Sequence, residues 1–271
     1  RKAAHAPIAC EHHSFPWRTL PHAFSQHHLP TLDDSFLLLS PAAGLLQFLV
    51  QHHVVHGRVV FPGAGYLEMA RASAVAASKG AVLEGVFFLQ PLAAEAASLH
   101  VACVVGDGRF EVRSSEIVGD VPALEDMTLH CSGGLASGVQ DGPQHVDQAC
   151  ARSRVCMRAA DVGALYDGFY SVSLQYGPKY RTLEHAWSGS SMAAARLQAR
   201  TAWRGTGVHP ADLDDAFCAG ALASSGEGGG ETRLPFAVDD ASLDGARCAL
   251  WAVGGRQGGE AMAVRLASCA G

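Results

Sequence analysis

A helix-forming segment set directly behind a proline, and followed by short runs of strand character, constrains this chain more than any other feature. Pro62 suits the first turn of a helix, where its missing N–H costs nothing. Ala64, Leu67, Ala70, Ala74 and Ala77 then recur every three or four residues, and Met69 and Ala76 widen the apolar face. Gly80 is placed to cap the end. The runs V-L-E-G-V-F-F-L (82–89), S-L-H-V-A-C-V-V (98–105), R-F-E-V-R-S-S-E-I (109–117) and M-T-L-H-C-S-G (127–133) follow, separated by Gly- or Pro-containing turns. The pattern predicts an α+β unit in which an antiparallel sheet wraps one long helix.

Upstream, residues 1 to about 35 are rich in His and Pro and read as a lead-in with one strand. The runs at 36–40, 45–55 and 58–61 read as strands, so His53 is expected on a strand that leads into the helix. Downstream, residues 134–158 are polar and contain glycine, as in a linker. Beyond them the order roughly repeats: a short helix at 161–170, a strand at 186–197 and a second helix from 209 to about 223. Strands are expected at 234–239, 248–253 and 261–266. This predicts an internal duplication: a first unit over 1–140, a linker over 141–158 and a second unit over 159–271.

Composition narrows the classes. With 48% hydrophobic and 17% charged residues the chain is expected to be globular, and 271 residues can bury a sizeable core. The net charge of −6 and the lack of Lys/Arg runs argue against nucleic-acid binding. No apolar run reaches the ~18 residues that span a bilayer, so no membrane role is expected. The eight cysteines are scattered, without a C-x-x-C, which favours a reduced, cytoplasmic setting. The chain does not start with Met, and is read as a piece of a longer polypeptide.

His53 stands four residues before Gly57 and nine before Pro62. Histidine is the residue type best placed to serve as a base near neutral pH. Its neighbours His52 and His56 invite a zinc reading, but no carboxylate or cysteine completes a ligand set, so no metal is expected. Asp212, Asp214 and Asp215 lie on the second helix, where an isolated Asp is ordinarily solvated. Asp212 and Asp215 are read that way.

Taken together, several motifs are those of a known family. His53, Gly57 and Pro62 form H-x-x-x-G-x-x-x-x-P, extended by G-A-G-Y-L-E-M-A. Tyr176, Gly177, Pro178 and Tyr180 form Y-G-P-x-Y; His209, Pro210, Leu213 and Asp214 form H-P-x-x-L-D. Weaker matches are His130, Ser132 and Gly133, and the L-P-F of Leu234 to Phe236. In order and spacing, across nearly its full length, the chain resembles the dehydratase domain of modular polyketide synthases. The resemblance implies a double hot-dog: two long helices, each wrapped by a sheet, in one chain.

It also implies a reaction, the syn elimination of water from a β-hydroxyacyl thioester on the phosphopantetheine of an acyl carrier protein. No cofactor bound by the domain itself is expected. The implied partners are that carrier protein and neighbouring synthase domains, with a homodimer as the assembly. His53 is then the base for the α-proton and Asp214 the acid for the departing hydroxyl. Asp214 must sit in an apolar tunnel that keeps it protonated, and Leu213, Ala216 and Phe217 beside it are apolar. The N–H of Gly63, behind Pro62 at a helix N-terminus, is the expected donor to the thioester carbonyl. Tyr176 is assigned to the β-hydroxyl or the tunnel wall. Gly57 and Cys218 complete the expected site.

The chain departs from the family at Cys218, where a Gln or His ordinarily orients the acid from one turn along the helix. Ser173-Leu174 replaces a Gly-Tyr pair, and Val238 replaces an aromatic. A cyclase or double-bond isomerase, or a silent docking module, is the competing expectation.

Overall fold

The computed structural model describes residues 22–31, 35–79, 82–136, 158–223, 236–243, 250–258 and 261–268. The first half holds β1 (His27–Leu29), β2 (Phe36–Pro41), α1 (Leu45–Val50), β3 (Val54–Val55), β4 (Arg58–Val59) and α2 (Gly63–Ala76). It continues with β5 (Val82–Phe88), β6 (Leu99–Gly106), β7 (Arg109–Glu116) and β8 (Thr128–Ala136). The second half holds β9 (Arg158–Ala160), α3 (Val162–Ser171), β10 (Leu183–Ser188), β11 (Met192–Leu197) and α4 (Pro210–Ala221). It ends with β12 (Ala237–Ser242), β13 (Leu250–Gly258) and β14 (Ala261–Ser268).

The sheets are antiparallel. Of the two large ones, one runs β1-β2-β6-β7-β8-β5-β12 and the other β14-β13-β11-β10-β9; β3 and β4 form a two-stranded sheet of their own. α2 lies on the first through Ala64, Leu67, Met69 and Ala70, against Leu83, Val86, Val101 and Val112. α4 lies on the second through Ala216, Cys218 and Ala219, against Ala195, Leu197 and Ala252. Each helix is buried along nearly its whole length, which its small, apolar sequence permits. The two helices also touch each other, so the cores meet.

Several local expectations change. Residues 45–50 form a helix, not a strand, and His53 sits just beyond it, ahead of a two-residue hairpin. A short, mostly apolar run is consistent with either state, and only tertiary packing decides. The single strand expected at 186–197 is a hairpin, β10 and β11. Pro62 is the N-cap of α2, and Gly63 its first residue. α2 ends at Ala76 with Ser78 at positive φ (56°); Gly80 lies outside the described residues.

β12 comes from the second half of the sequence yet joins the first sheet, pairing Val238 with Val86. Leu234 and Pro235 of the L-P-F motif lie outside the described residues. Phe236 is exposed, and its carbonyl accepts from Phe88 N–H at 3.0 Å.

Candidate active site

His53 is held by its own backbone: its N–H donates to Val50 O at 2.8 Å, and its carbonyl accepts from Val60 N–H at 3.1 Å. The Nδ1 atom lies 2.7 Å from Val60 O. A carbonyl can only accept, so Nδ1 carries hydrogen and Nε2 is the nitrogen left to act as base. The hairpin that follows turns on His56 (φ 49°) and Gly57 (φ 75°), the two positive angles of a type I′ turn. Gly57 is exposed at its tip, where its N–H donates to Gln175 Oε1 at 2.8 Å. Its part is to make that turn, set apart from the buried His53 ring.

Tyr176 reaches His53 by backbone pairing across the halves. His56 N–H donates to Ser173 O (2.9 Å), Gln175 N–H to Val54 O (2.7 Å) and Gly177 N–H to His52 O (2.8 Å). The segment before the 3-10 turn Pro178–Tyr180 therefore runs alongside the hairpin. The rings of Tyr176 and Tyr180 each centre 5.4 Å from the His53 ring.

Asp214 projects from α4. The start of that helix is fixed by His209, whose Nδ1 accepts from Ala211 N–H at 3.2 Å, and by Pro210 at the first helical position. Burial holds the His209 ring neutral, its pKa pushed down to about 3. Asp214 Oδ1 lies 3.8 Å from His53 Nε2. Its other oxygen, Oδ2, is buried with no hydrogen-bond partner among the described residues. Burial raises the Asp214 pKa, against the His53 charge and the nearby Tyr176 hydroxyl, which lower it. The site therefore pairs a free imidazole nitrogen with a carboxyl biased toward its protonated form, the acid–base division that an elimination requires.

The first N–H groups of α2, including that of Gly63, have no carbonyl behind them within the helix. They face outward at its positive end, which suits a carbonyl that gathers charge. A side chain at Gly63 would meet the Phe88 ring, 3.4 Å from a β-carbon there. Cys218 is buried one turn beyond Asp214 and donates to the Tyr176 hydroxyl at 3.7 Å.

Asp212 and Asp215 are fully buried, not solvated as expected. Arg200 Nε donates to Asp212 at 2.7 Å. Asp215 accepts from Tyr166 OH (3.0 Å), the Thr182 hydroxyl (2.7 Å) and Thr182 N–H. These bonds tie α4 to α3 and to the segments flanking β10 and β11, and fix its rotation, hence the direction of Asp214.

Glu68 escaped sequence reasoning altogether. It is fully buried in α2, where Arg71 donates to both its oxygens at 2.7 and 2.8 Å. It also accepts from Gly207 N–H (2.6 Å) and Val208 N–H (3.2 Å), the residues just before His209. His22 Nε2 lies 3.0 Å away. Burial pushes the Glu68 pKa up, but hydrogen bonds and charges from Arg71 and His22 prevail and hold it below the ordinary carboxylate value. The legible signal was a Glu in an otherwise apolar helix with Arg three residues on.

His130 is also structural. It is buried, 2.8 Å from the Ser114 hydroxyl and 3.2 Å from Gln90 O.

Comparison with known proteins agrees with this arrangement in both halves. The family model described as the polyketide synthase dehydratase domain matches residues 22–118. A second, described as the polyketide synthase dehydratase N-terminal domain, matches residues 144–264. The chain is 33% identical over 241 residues to polyketide synthase ThaG of Burkholderia thailandensis, covering 81% of this chain and 4% of that protein. It is 30% identical over 226 residues to erythronolide synthase EryA2 of Saccharopolyspora erythraea, covering 81% of this chain and 6% of that protein. It thus spans a small part of the curated relatives it matches.

Among solved structures, the dehydratase domain from the CurF module of curacin polyketide synthase superposes with a TM-score of 0.78 at 21% identity, over 90% of this chain and 92% of that one. The erythromycin dehydratase superposes with a TM-score of 0.75 at 25% identity, over 93% and 92%. CurK dehydratase superposes as a His-to-Phe and an Asp-to-Asn variant, both titled inactive mutants, with TM-scores of 0.74 and 0.73 at 19% and 20% identity. The first of these covers 91% of both chains, the second 91% of this chain and 93% of that one. The shared architecture is the double hot-dog. Matched in each half by a dehydratase model, this chain belongs to the polyketide synthase dehydratase domain family.

Proposed function

We propose that this domain eliminates water from a β-hydroxyacyl thioester carried on the phosphopantetheine of an acyl carrier protein, giving the α,β-unsaturated thioester. The observation that carries the reading is the facing pair, His53 Nε2 and Asp214 Oδ1, 3.8 Å apart. His53 Nε2 takes the α-proton, and the C–H electron pair becomes the new double bond. The β-carbon–oxygen bond breaks toward oxygen, which takes the Asp214 proton and leaves as water. The Gly63 N–H holds the thioester carbonyl while charge gathers there. His53 then carries a proton that Asp214 lacks, and their closeness lets the pair reset.

The inactive His and Asp variants of CurK dehydratase involve the same two residue types. The domain acts with neighbouring domains of a longer synthase and with the carrier protein, as a homodimer and with no cofactor of its own. Incubation with a 3-hydroxyacyl carrier protein, read by mass spectrometry, tests the reading. Loss of one water's mass is expected. An unsaturated hydroxyacyl substrate that keeps its mass but changes retention would instead reveal cyclisation or isomerisation. No change with any substrate would reveal a silent module.

A further inference from the structure

Asp214 is the proposed acid, yet its Oδ2 has no hydrogen-bond partner among the described residues. Something else must hold the carboxyl in place. Cys218 lies four residues on, on the same face of α4. A cysteine is too short and too weak a donor to replace a Gln or His directly. In this chain it turns to Tyr176 instead: the Cys218 thiol donates to the Tyr176 oxygen at 3.7 Å, within the range for sulfur. A phenol that accepts one bond keeps its own hydrogen to donate. Tyr176 is buried between the His53 ring, the Phe169 ring at 6.0 Å and Cys218, so it has little freedom to turn elsewhere.

We propose that Cys218 and Tyr176 form a two-member relay that positions Asp214: the thiol donates to the phenol oxygen, and the phenol hydrogen donates to the Asp214 carboxyl. This rests on the reading of Asp214 as the acid. Tyr176 is then a positioning residue, and Cys218 acts only through it. Burial raises the thiol pKa well above its ordinary value, and burial followed by the Asp214 charge raises that of Tyr176. Both donors therefore keep their hydrogens across the working pH range. The groups facing Asp214 are His53 from the segment after α1, Tyr176 and Tyr180 from the segment before β10, and Asp215 and Cys218 from α4. A bond accepted by the phenol oxygen strengthens the one its hydrogen makes, so loss of the thiol weakens the hold on the acid without removing it.

The test is an NMR titration of the Asp214 carboxyl in the whole domain labelled with 13C-aspartate, its signal assigned by loss in Asp214→Asn. Turnover of a 3-hydroxyacyl carrier protein is followed in parallel. Tyr176→Phe removes a donor that favours the ionised form, so the Asp214 titration should move to higher pH. Turnover should fall about tenfold, in kcat rather than KM. Cys218→Ala should move the titration the same way but less, and Cys218→Ser, which keeps a donor, should restore it. In the Tyr176→Phe background, Cys218→Ala should add nothing. An unmoved titration in Tyr176→Phe would overturn the relay. So would an equal effect of Cys218→Ala in both backgrounds, which would mark the thiol as core packing only. Thermal melts identify any variant that fails to fold, and Cys218→Val, which also lacks a donor but fills the space better, then replaces Cys218→Ala in the cycle. The titration does not depend on turnover. A wild-type domain without dehydration would refute the functional reading while leaving the relay to be judged on its own.

Discussion

Nε2 of His53 and Oδ1 of Asp214 face each other at 3.8 Å, one from the first half of the chain and one from the second. The distance is too long for a direct hydrogen bond and suits two groups that meet through a substrate. His53→Ala and Asp214→Asn should each lower dehydration by about 10² to 10⁴-fold in a folded protein. Single-turnover mass spectrometry beside a circular-dichroism melt checks this. Near-native turnover in either variant would remove that residue from the mechanism.

The pH dependence of activity should follow the acid. Burial raises the Asp214 pKa, so the group is protonated to higher pH than an ordinary Asp. Turnover should fall as pH rises through that pKa, because the ionised carboxylate has no proton to give. A profile of kcat/KM measures it, and the alkaline limb should be lost from the residual activity of Asp214→Asn.

Stability should respond to acid through His209. Its folded pKa of about 3 lies below the 6.5 of an ordinary histidine, because burial disfavours the charged ring. Between those values the unfolded chain binds a proton that the folded chain refuses. Stability is therefore lost as pH falls through that window, by about 1.4 kcal/mol per pH unit. Glu68, with its lowered pKa, works in the same direction; Asp212 and Asp214, raised by burial, and Asp215, pushed up to about 7 chiefly by burial, oppose them, so the His209 share is read from the difference between wild type and variant. His209→Asn keeps a capping acceptor and should flatten the slope seen in urea melts between pH 4 and roughly 6.5.

Glu68→Gln should destabilise the fold by about 3 to 5 kcal/mol, because it removes a fully buried carboxylate from its ion pair with Arg71 and takes an acceptor from the N–H groups of Gly207 and Val208. The loss should appear as a lower urea midpoint. A variant that melts like the wild type would show that the Glu68 charge is dispensable.

Gly57→Ala should cost about 1 kcal/mol, since φ of 75° strains any residue with a β-carbon. The space beside it is open, so no steric clash adds to the cost. Asp214 turnover chemistry should survive in the folded fraction, because the His53 ring is held by Val60 rather than by the turn.

Much of this was legible in the sequence. The helix behind Pro62 and the strands of the first sheet carry their own periodicities, and the joint motifs brought His53, Tyr176 and Asp214 to one place. What stayed hidden depends on partners distant in the chain. Leu45 to Val50 reads equally as strand or helix until it is packed. Asp212 and Asp215 look like a solvated pair until Arg200 pairs with one and Tyr166 and Thr182 donate to the other. Glu68 looks like a surface residue of an amphipathic helix, because the N–H groups it accepts from are about 140 residues away, at Gly207 and Val208. Local patterns report faces and periods; they do not report who satisfies a buried charge.

β12 pairs with β5, so the last strand that the first sheet acquires is synthesised long after the rest of it. Until then the Val82–Phe88 edge presents a row of open backbone donors and acceptors, with Phe87 exposed beside them. A fragment cut between Ala136 and Arg158 would carry that open edge permanently. The two halves are thus stitched by an exchanged strand, and a functional split of this domain would have to move the cut beyond Ser242 or supply the strand in trans.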